Sequence, residues 1–130
     1  MTLQGGEVLL ENGTLTINTN TNNAATNGGD ITIEKAVFGS SDEAIVLDAH
    51  ATGNGTISLG PIGISSVTTA SSEIAGLTAT AGGGITLNGN IKLSHAPIST
   101  GVKFNSPVII GDDTSAVSYT HLRAHETVVH

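Results

Sequence analysis

The sequence predicts an all-β fold in which short strands stack as a β-solenoid of roughly four to five coils, open at both ends. A glycine turn followed by an apolar phrase returns four times, as GGEVLL at 5–10, GGDITI at 28–33, GNGTISL at 53–59 and GGGITLNGN at 82–90. The first apolar residues of these phrases are Val8, Ile31, Ile57 and Ile85, at intervals of 23, 26 and 28 residues. Self-similarity at a period of about 20–50 residues is typical of solenoids.

Composition predicts a narrow, layered core. The 130 residues include 17 Gly, with 2% aromatic and 12% charged residues, whereas an ordinary domain has about 25% charged residues. Because aromatic side chains are so few, Ile, Leu, Val and Ala must fill the interior. The length corresponds to one domain.

Strands are predicted wherever apolar residues alternate or β-branched residues cluster. In chain order these segments are 15–17, 31–33, 44–49, 57–59, 77–81, 85–87, 91–93, 102–104 and 108–110. Segment 40–49 could instead begin a helix, with Ser41 as its cap. A strand is favoured there because Ile45, Val46 and Leu47 lead into a glycine turn, and no helix is expected before Ala116.

In a solenoid each strand pairs with its equivalent about 4.8 Å away in the next coil. The shared phase therefore predicts two internal columns and one outward ladder of hydroxyl groups. Leu9 breaks this scheme, because its equivalents are the polar ladder residues, so the first coil is expected to be imperfect or frayed. The columns are Ile31, Ile57 and Ile85, and Ile33, Leu59 and Leu87, and the ladder is Thr32, Ser58 and Thr86.

Unequal intervals between repeats are expected to arise from loops. Segment 19–27 is polar and is expected to bulge outward, and segment 65–73, rich in Ser and Thr, is a second loop or a poorly paired strand. In solenoids such insertions map to loops on one face.

Charge and cysteine content exclude several functions. The net charge is −7, and before Ala116 the only basic side chains are Lys35, Lys92 and Lys103. No basic stripe exists to bind nucleic acid or an anionic membrane surface. Without Cys there is neither a disulfide scaffold nor a thiolate metal site. No apolar run spans a bilayer and no signal peptide is apparent, so the protein is expected to be cytoplasmic or to have lost its N-terminus.

The chain changes character at Val117. Residues 117–127, VSYTHLRAHET, resemble one reading frame of the transposase-end and adapter DNA of a tagmentation sequencing library. The resemblance implies that 1–116 is a β-solenoid repeat fragment of a longer chain and that 117–130 is a non-native, adapter-derived tail, which is expected to continue no repeat. The alternative is a short basic-polar tail or terminal helix. The tail contains the only Arg, the only Tyr and three of the five His, namely Arg123, Tyr119, His121, His125 and His130; under the adapter interpretation these His are no metal site.

One stretch resembles a known family. GLTATAGGGITLNGNIKLS followed by GVKFNSPVIIGDDT is similar to the central repeats of filamentous-haemagglutinin-type exoproteins, large adhesins exported through the outer membrane of Gram-negative bacteria by two-partner secretion. The resemblance covers 77–114 well and 28–64 loosely. It implies a right-handed parallel β-helix that belongs to an extracellular or cell-surface protein. The family's secretion domain and signal peptide are absent from this stretch.

No catalytic, cofactor-binding or metal-binding residue is predicted. Asp112 and Asp113 are adjacent and are interpreted as turn formers, because acid–base catalysis needs two carboxylates held apart in different environments. Asp42 and Glu43 are interpreted as a solvated turn. The Gly28-Gly29-Asp30 turn is similar to calcium-binding repeats, but the repeat places Glu7, Thr56 and Gly84 at the equivalents of Asp30. His50 and His95 are isolated, with an exposed loop position as the default interpretation.

The leading functional hypothesis is therefore a non-catalytic structural and adhesive segment of a large bacterial adhesin. Its expected partners are neighbouring coils of the same chain and an unidentified host-cell or surface receptor or glycan. The alternative is a carbohydrate-active β-helix protein, either pectate-lyase-like or a phage tailspike, but the chain has no Arg before the tail and only Phe38 and Phe104 as aromatics there. A third possibility, an ice-binding solenoid, needs flat ranks of Thr, which Ser58 interrupts.

Overall fold

The computed structural model describes residues 1–19, 29–40, 42–68, 71–94 and 101–111, together with the backbone of short strands at 116–117, 122–124 and 128–129. Within these residues the fold is all-β, with parallel sheets and no helix, an arrangement compatible with a β-solenoid. The strands are β1 Thr2–Leu3, β2 Val8–Leu9, β3 Thr14–Asn18, β4 Ile31–Ile33, β5 Val37–Phe38, β6 Ala44–Asp48, β7 Ile57–Leu59, β8 Gly76–Thr80, β9 Ile85–Leu87, β10 Ile91–Lys92, β11 Gly101–Phe104, β12 Val108–Ile110, β13 Ala116–Val117, β14 Leu122–Ala124 and β15 Val128–Val129.

The strands form three sheets that the chain visits in a fixed order. Sheet 1 has the order β1-β4-β7-β9-β12-β15, and sheet 3 has the order β3-β6-β8-β11-β14. Sheet 2 consists of the pairs β2-β5 and β10-β13, which Ile62 joins through single bridges to Val37 and Ile91. One passage of the chain through sheets 1, 2 and 3 is called a circuit below. In sheets 1 and 3 successive strands pair in parallel from one circuit to the next.

The predicted internal columns are confirmed. In sheet 1, Ile31 lies opposite Ile57, and Ile57 lies opposite Ile85. The second column is also in register, and all six side chains of the two columns are at most 2% exposed. The core cluster is largely aliphatic, as composition predicted, and Phe104 is its only aromatic among the described residues. Burial of apolar area at about 25 cal/mol per Å² is the main stabilising term in such a core.

The expectation that Leu9 belongs to sheet 1 is wrong. Thr2 and Leu3 pair there with Thr32 and Ile33, so the first interval in sheet 1 is 30 residues, from Leu3 to Ile33. Strand β2 instead pairs with β5 in sheet 2, where Val8 lies opposite Val37. Short apolar phrases after glycine look alike in sequence whichever sheet they enter, and this caused the misalignment. The first circuit pairs in all three sheets.

The other predicted strands are observed within one or two residues, including β6, which replaces the alternative helix at 40–49. Strand β5 and the bridge at Ile62 were not predicted. The loop expected at 19–27 lies outside the described residues apart from Thr19. In the described part of the chain, no helix is long and apolar enough to cross a membrane.

The backbone of the tail extends the sheets by one strand each. Strands β13, β14 and β15 pair in parallel with β10, β11 and β12. The sequence alone predicted that the tail continues no repeat, and at these three short segments the backbone path differs from that expectation. The division into 1–116 and an adapter-derived 117–130 concerns the origin of the residues and stays a prediction.

That division predicts that removing the tail changes stability little. Residues 1–116 should unfold within about 1 kcal/mol of the full chain, because no selection acted on the packing of residues 117–130. Both forms should be marginal and self-associate end to end, because open strand edges accept further strands. Denaturant unfolding and sedimentation at matched concentration measure the two effects. A larger stability difference, or the same eleven residues in an independently cloned gene, would refute the adapter origin.

Candidate functional surface

The outer face of sheet 1 carries the predicted hydroxyl ladder. Thr32, Ser58 and Thr86 lie opposite one another on neighbouring strands and are half-buried. The ladder begins at Thr2, which pairs with Thr32, and ends at Ile109, which pairs with Thr86 and is 52% exposed. The outer face of this sheet is therefore polar over its first four strands.

A second column lies in the turn that follows sheet 1, and the sequence analysis missed it. It consists of Glu34, Gly60, Asn88 and Gly111. The N–H groups of Gly60, Asn88 and Gly111 donate to the carbonyl oxygens of Ile33, Leu59 and Leu87, respectively, at 2.6–2.7 Å. The backbone hydrogen bonds of sheet 1 therefore continue into this column. Large polar residues thus alternate with glycine. The predicted register of Ile33, Leu59 and Leu87 already aligned Glu34, Gly60 and Asn88, so this alternation could have been found from the sequence.

The glycines of this column leave no space for a side chain. A Cβ at Gly60 would lie 2.5 Å from the Glu34 carbonyl oxygen, and one at Gly111 would lie 2.4 Å from Asn88 Oδ1. Gly60 carries no side chain, and between Glu34 and Asn88 the surface is recessed over it. We call this recess the Gly60 notch; it is open, holds about 290 Å³, and is lined by Thr32, Ile33, Glu34, Ser58, Gly60 and Asn88.

Two side chains fix one wall of the Gly60 notch. Asn88 Nδ2 donates to Ser58 Oγ over 2.9 Å, which joins two neighbouring circuits. The Glu34 carboxylate on the opposite side is exposed and makes no hydrogen bond or ion pair with any described residue. The notch thus offers an unused acceptor group facing a fixed amide and hydroxyl.

A second cleft lies beside the notch, where the expected loop at 65–73 begins. Ser65 Oγ donates to Glu7 Oε1 over 2.7 Å, and Ser66 donates to the same carboxylate through its N–H and its hydroxyl. The hydrogen bonds lower the pKa of Glu7 below its usual value, that from the Ser66 hydroxyl most and that from the Ser65 hydroxyl next. Glu7 thus anchors the start of this loop to the first circuit. At the loop's end, the Glu73 carboxylate accepts from Ser71 and lies 3.2 Å from Lys92 Nζ.

The expectation of a solvated turn is wrong for Glu43. This residue is 2% exposed, and its carboxylate accepts hydrogen bonds from Ser40 N–H at 2.6 Å and Ser40 Oγ at 3.0 Å. Gly39 makes room for it, because a Cβ there would lie 2.1 Å from Oε1. Burial raises the pKa of Glu43, but the hydrogen bonds from Ser40 and from nearby backbone N–H groups outweigh it and leave the pKa below its usual value. The carboxylate therefore closes the turn before β6, while Asp42 is exposed.

Glu43 should make stability depend on pH. Because its folded pKa is lowered, its contribution is present above the unfolded value of 4.5 and is lost as pH falls through the folded pKa. Glu43→Ala should cost about 1–3 kcal/mol at neutral pH and remove this part of the acid response. Urea unfolding of both proteins across this range measures the difference, with Asp42→Ala as the exposed control. A Glu43→Ala variant that loses as much stability in acid as the natural chain would contradict this role.

The remaining sequence candidates do not converge. Asp30 Oδ1 accepts from Thr56 N–H at 2.9 Å and Thr56 Oγ1 at 3.1 Å, so it links neighbouring circuits. The strand register places Thr56 next to Asp30 and Gly84 next to Thr56, as expected. Glu7 is not in this column, because it precedes a strand of sheet 2. His50 forms a turn with φ of 69°. Among the described residues no three His, Cys, Asp or Glu side chains are grouped as metal ligands. Gly28, His95, Asp112 and Asp113 lie outside the described residues.

No family model matches this chain, nor does any curated protein or solved structure.

Proposed function

We propose that residues 1–116 are part of a right-handed parallel β-helix of roughly four to five coils, open at both ends. The fixed order of the three sheets supports this, since each circuit pairs in parallel with the next. Parallel connections within one sheet are right-handed in about 98% of cases. The handedness follows from that rule, and vibrational circular dichroism or an experimental structure tests it.

Its proposed function is that of an internal, non-catalytic structural and adhesive segment of a large secreted or surface-anchored bacterial adhesin. The observation that carries this is the in-register stacking of circuits, each of which contacts mainly its neighbours. Such solenoids extend in one dimension and present long surfaces for binding. The resemblance of 77–114 to filamentous-haemagglutinin repeats points the same way. The proposed location is extracellular or at the cell surface, and the proposed partners are adjoining coils and a receptor or glycan, with neither nucleic acid nor membrane insertion.

An adhesion assay tests this function. Beads coated with the full chain should bind to epithelial cells more than beads coated with Ile57→Asp, in which the stacked core is broken. The variant differs from the natural chain at one residue only, so a difference in binding shows that adhesion depends on the folded surface. Equal binding by both coatings would contradict adhesion through this segment.

The carbohydrate-active alternative predicts turnover instead of binding. Enzymes that hydrolyse glycosidic bonds need a pair of carboxylates about 5–10 Å apart across the substrate, whereas the Gly60 notch holds Glu34 alone. We expect no lyase or hydrolase activity on polysaccharides, measured by unsaturated products and by reducing ends. Activity that a single carboxylate substitution abolishes would overturn the non-catalytic assignment.

A further inference from the structure

The Gly60 notch has the dimensions of a site for one small ring. Its walls, Glu34 and Asn88, stand in the same column on circuits separated by two strand spacings, about 9.6 Å. The open volume of about 290 Å³ is close to the smallest volumes of small-molecule sites, which range over about 300–1,000 Å³. The floor is the backbone of Gly60, which parallel pairing on both sides holds in place.

The chemistry of the notch favours a ligand rich in hydroxyl groups. The Glu34 carboxylate can accept two hydrogen bonds at once, and charge-assisted bonds of this kind are about twice as strong as neutral ones. Ser58 Oγ already accepts from Asn88, so its own proton can be donated outward. Thr32, which lies opposite Ser58 in the ladder, adds a further hydroxyl. The notch therefore presents acceptors and donors, and the hydrogen bond between Asn88 and Ser58 holds two of these groups in place.

The same lining disfavours other ligands. Peptide partners usually anchor a large apolar or aromatic side chain in a pocket, and the only apolar residue here, Ile33, is 2% exposed. Anionic glycans and phosphates need cations, and no Lys or Arg lines the notch. A carboxylate at one wall would repel them.

We propose that the Gly60 notch binds one uncharged sugar ring of a glycan, with Glu34 accepting hydrogen bonds from two neighbouring hydroxyls and with Ser58 and Thr32 bonding to other hydroxyls of the ring. This inference rests on the proposed adhesive function and names its ligand class. A single ring held by hydrogen bonds without aromatic stacking binds weakly, at millimolar dissociation constants, so adhesion requires many contacts along an extended surface.

Titration of the ¹⁵N-labelled full chain with methyl glycosides of neutral hexoses tests the site. We expect saturable shifts of the Gly60 and Asn88 amide signals at millimolar concentrations. Glu34→Gln, which keeps the shape and removes the charge, should weaken binding about tenfold. Glu11→Gln, the same change at an exposed turn residue outside the notch, should leave binding unchanged. The matching hexuronic acid should bind much more weakly than the neutral sugar.

Three results would overturn the site: no saturable shift with any neutral hexoside, shifts centred on other residues, or equal affinity for the hexuronic acid. If Glu34→Gln binds the sugar with unchanged affinity, Glu34 is not part of the binding site. The bead assay separates this inference from the proposed function. If the natural chain and Glu34→Gln both adhere while sugars do not bind, adhesion stands and the notch does not.

Discussion

Ile57→Asp should leave the chain largely unfolded at room temperature. Ile57 is 1% exposed and lies between Ile31 and Ile85 in the central column of sheet 1. A carboxylate there would be buried without a partner, which costs several kcal/mol even after the group takes up a proton. The chain is expected to be marginal, at or below the low end of the usual range of about 5–15 kcal/mol, so a loss of about 5 kcal/mol or more removes most of the folded population.

Thr86→Asp is the matched control. Thr86 lies on the neighbouring strand but faces outward and is half-buried, so the same carboxylate remains hydrated and should cost no more than about 1 kcal/mol. Circular dichroism and urea unfolding of both variants measure the contrast. Equal losses of unfolding free energy from the two substitutions would contradict the assignment of Ile57 to the core and of Thr86 to the outer face.

Gly63→Ala should be the most damaging substitution of a glycine in sheet 2. Gly63 has φ of 77°, and a Cβ added there would lie 2.0 Å from the Lys92 carbonyl oxygen. Sheet 2 is held at this point by the single bridge between Ile62 and Ile91. The left-handed backbone costs an L-residue about 1–2 kcal/mol, and the displaced strand adds to this, so the expected total is about 3 kcal/mol or more.

Gly13→Ala separates the two causes. Gly13 has φ of 72°, but a Cβ added there would have no atom within 4 Å, so only the backbone cost of about 1–2 kcal/mol applies. Denaturant unfolding of both variants at matched concentration gives the difference. If Gly13→Ala costs as much as Gly63→Ala, close approach of Lys92 is not what requires glycine at position 63.

Sequence predicted the parts of the fold that local alternation controls. Ile31, Ile57 and Ile85 share a phase after glycine turns, and this was enough to place them in one column. Leu9 was assigned to the wrong sheet, because a short apolar phrase fits either sheet 1 or sheet 2, and only pairing with Phe38 distinguishes them. Leu9 is 52% exposed in that sheet, although its partner Phe38 is only 8% exposed.

Polar positions were harder to predict because their environment depends on contacts distant in sequence or on exact register. Glu43 appeared to belong to a solvated turn, yet the chain covers its carboxylate, and Ala75 donates to its carbonyl oxygen from the next circuit. Glu34 and Asn88 are 54 positions apart and become walls of one notch only when the circuits are aligned correctly.

Disulfide formation between introduced cysteines tests the stacking of circuits most directly, because the chain has no Cys of its own. Thr32 and Ser58 lie opposite each other on adjacent parallel strands, about 4.8 Å apart, within the range of about 4.4–6.8 Å between Cα atoms that a disulfide spans. Thr32 and Thr86 are separated by two strand spacings and lie beyond it. Under mild oxidation of the folded chain, Thr32→Cys with Ser58→Cys should cross-link rapidly, and Thr32→Cys with Thr86→Cys should not. A pair at 32 and 58 that stays reduced, or a pair at 32 and 86 that closes equally fast, would contradict in-register stacking of successive circuits.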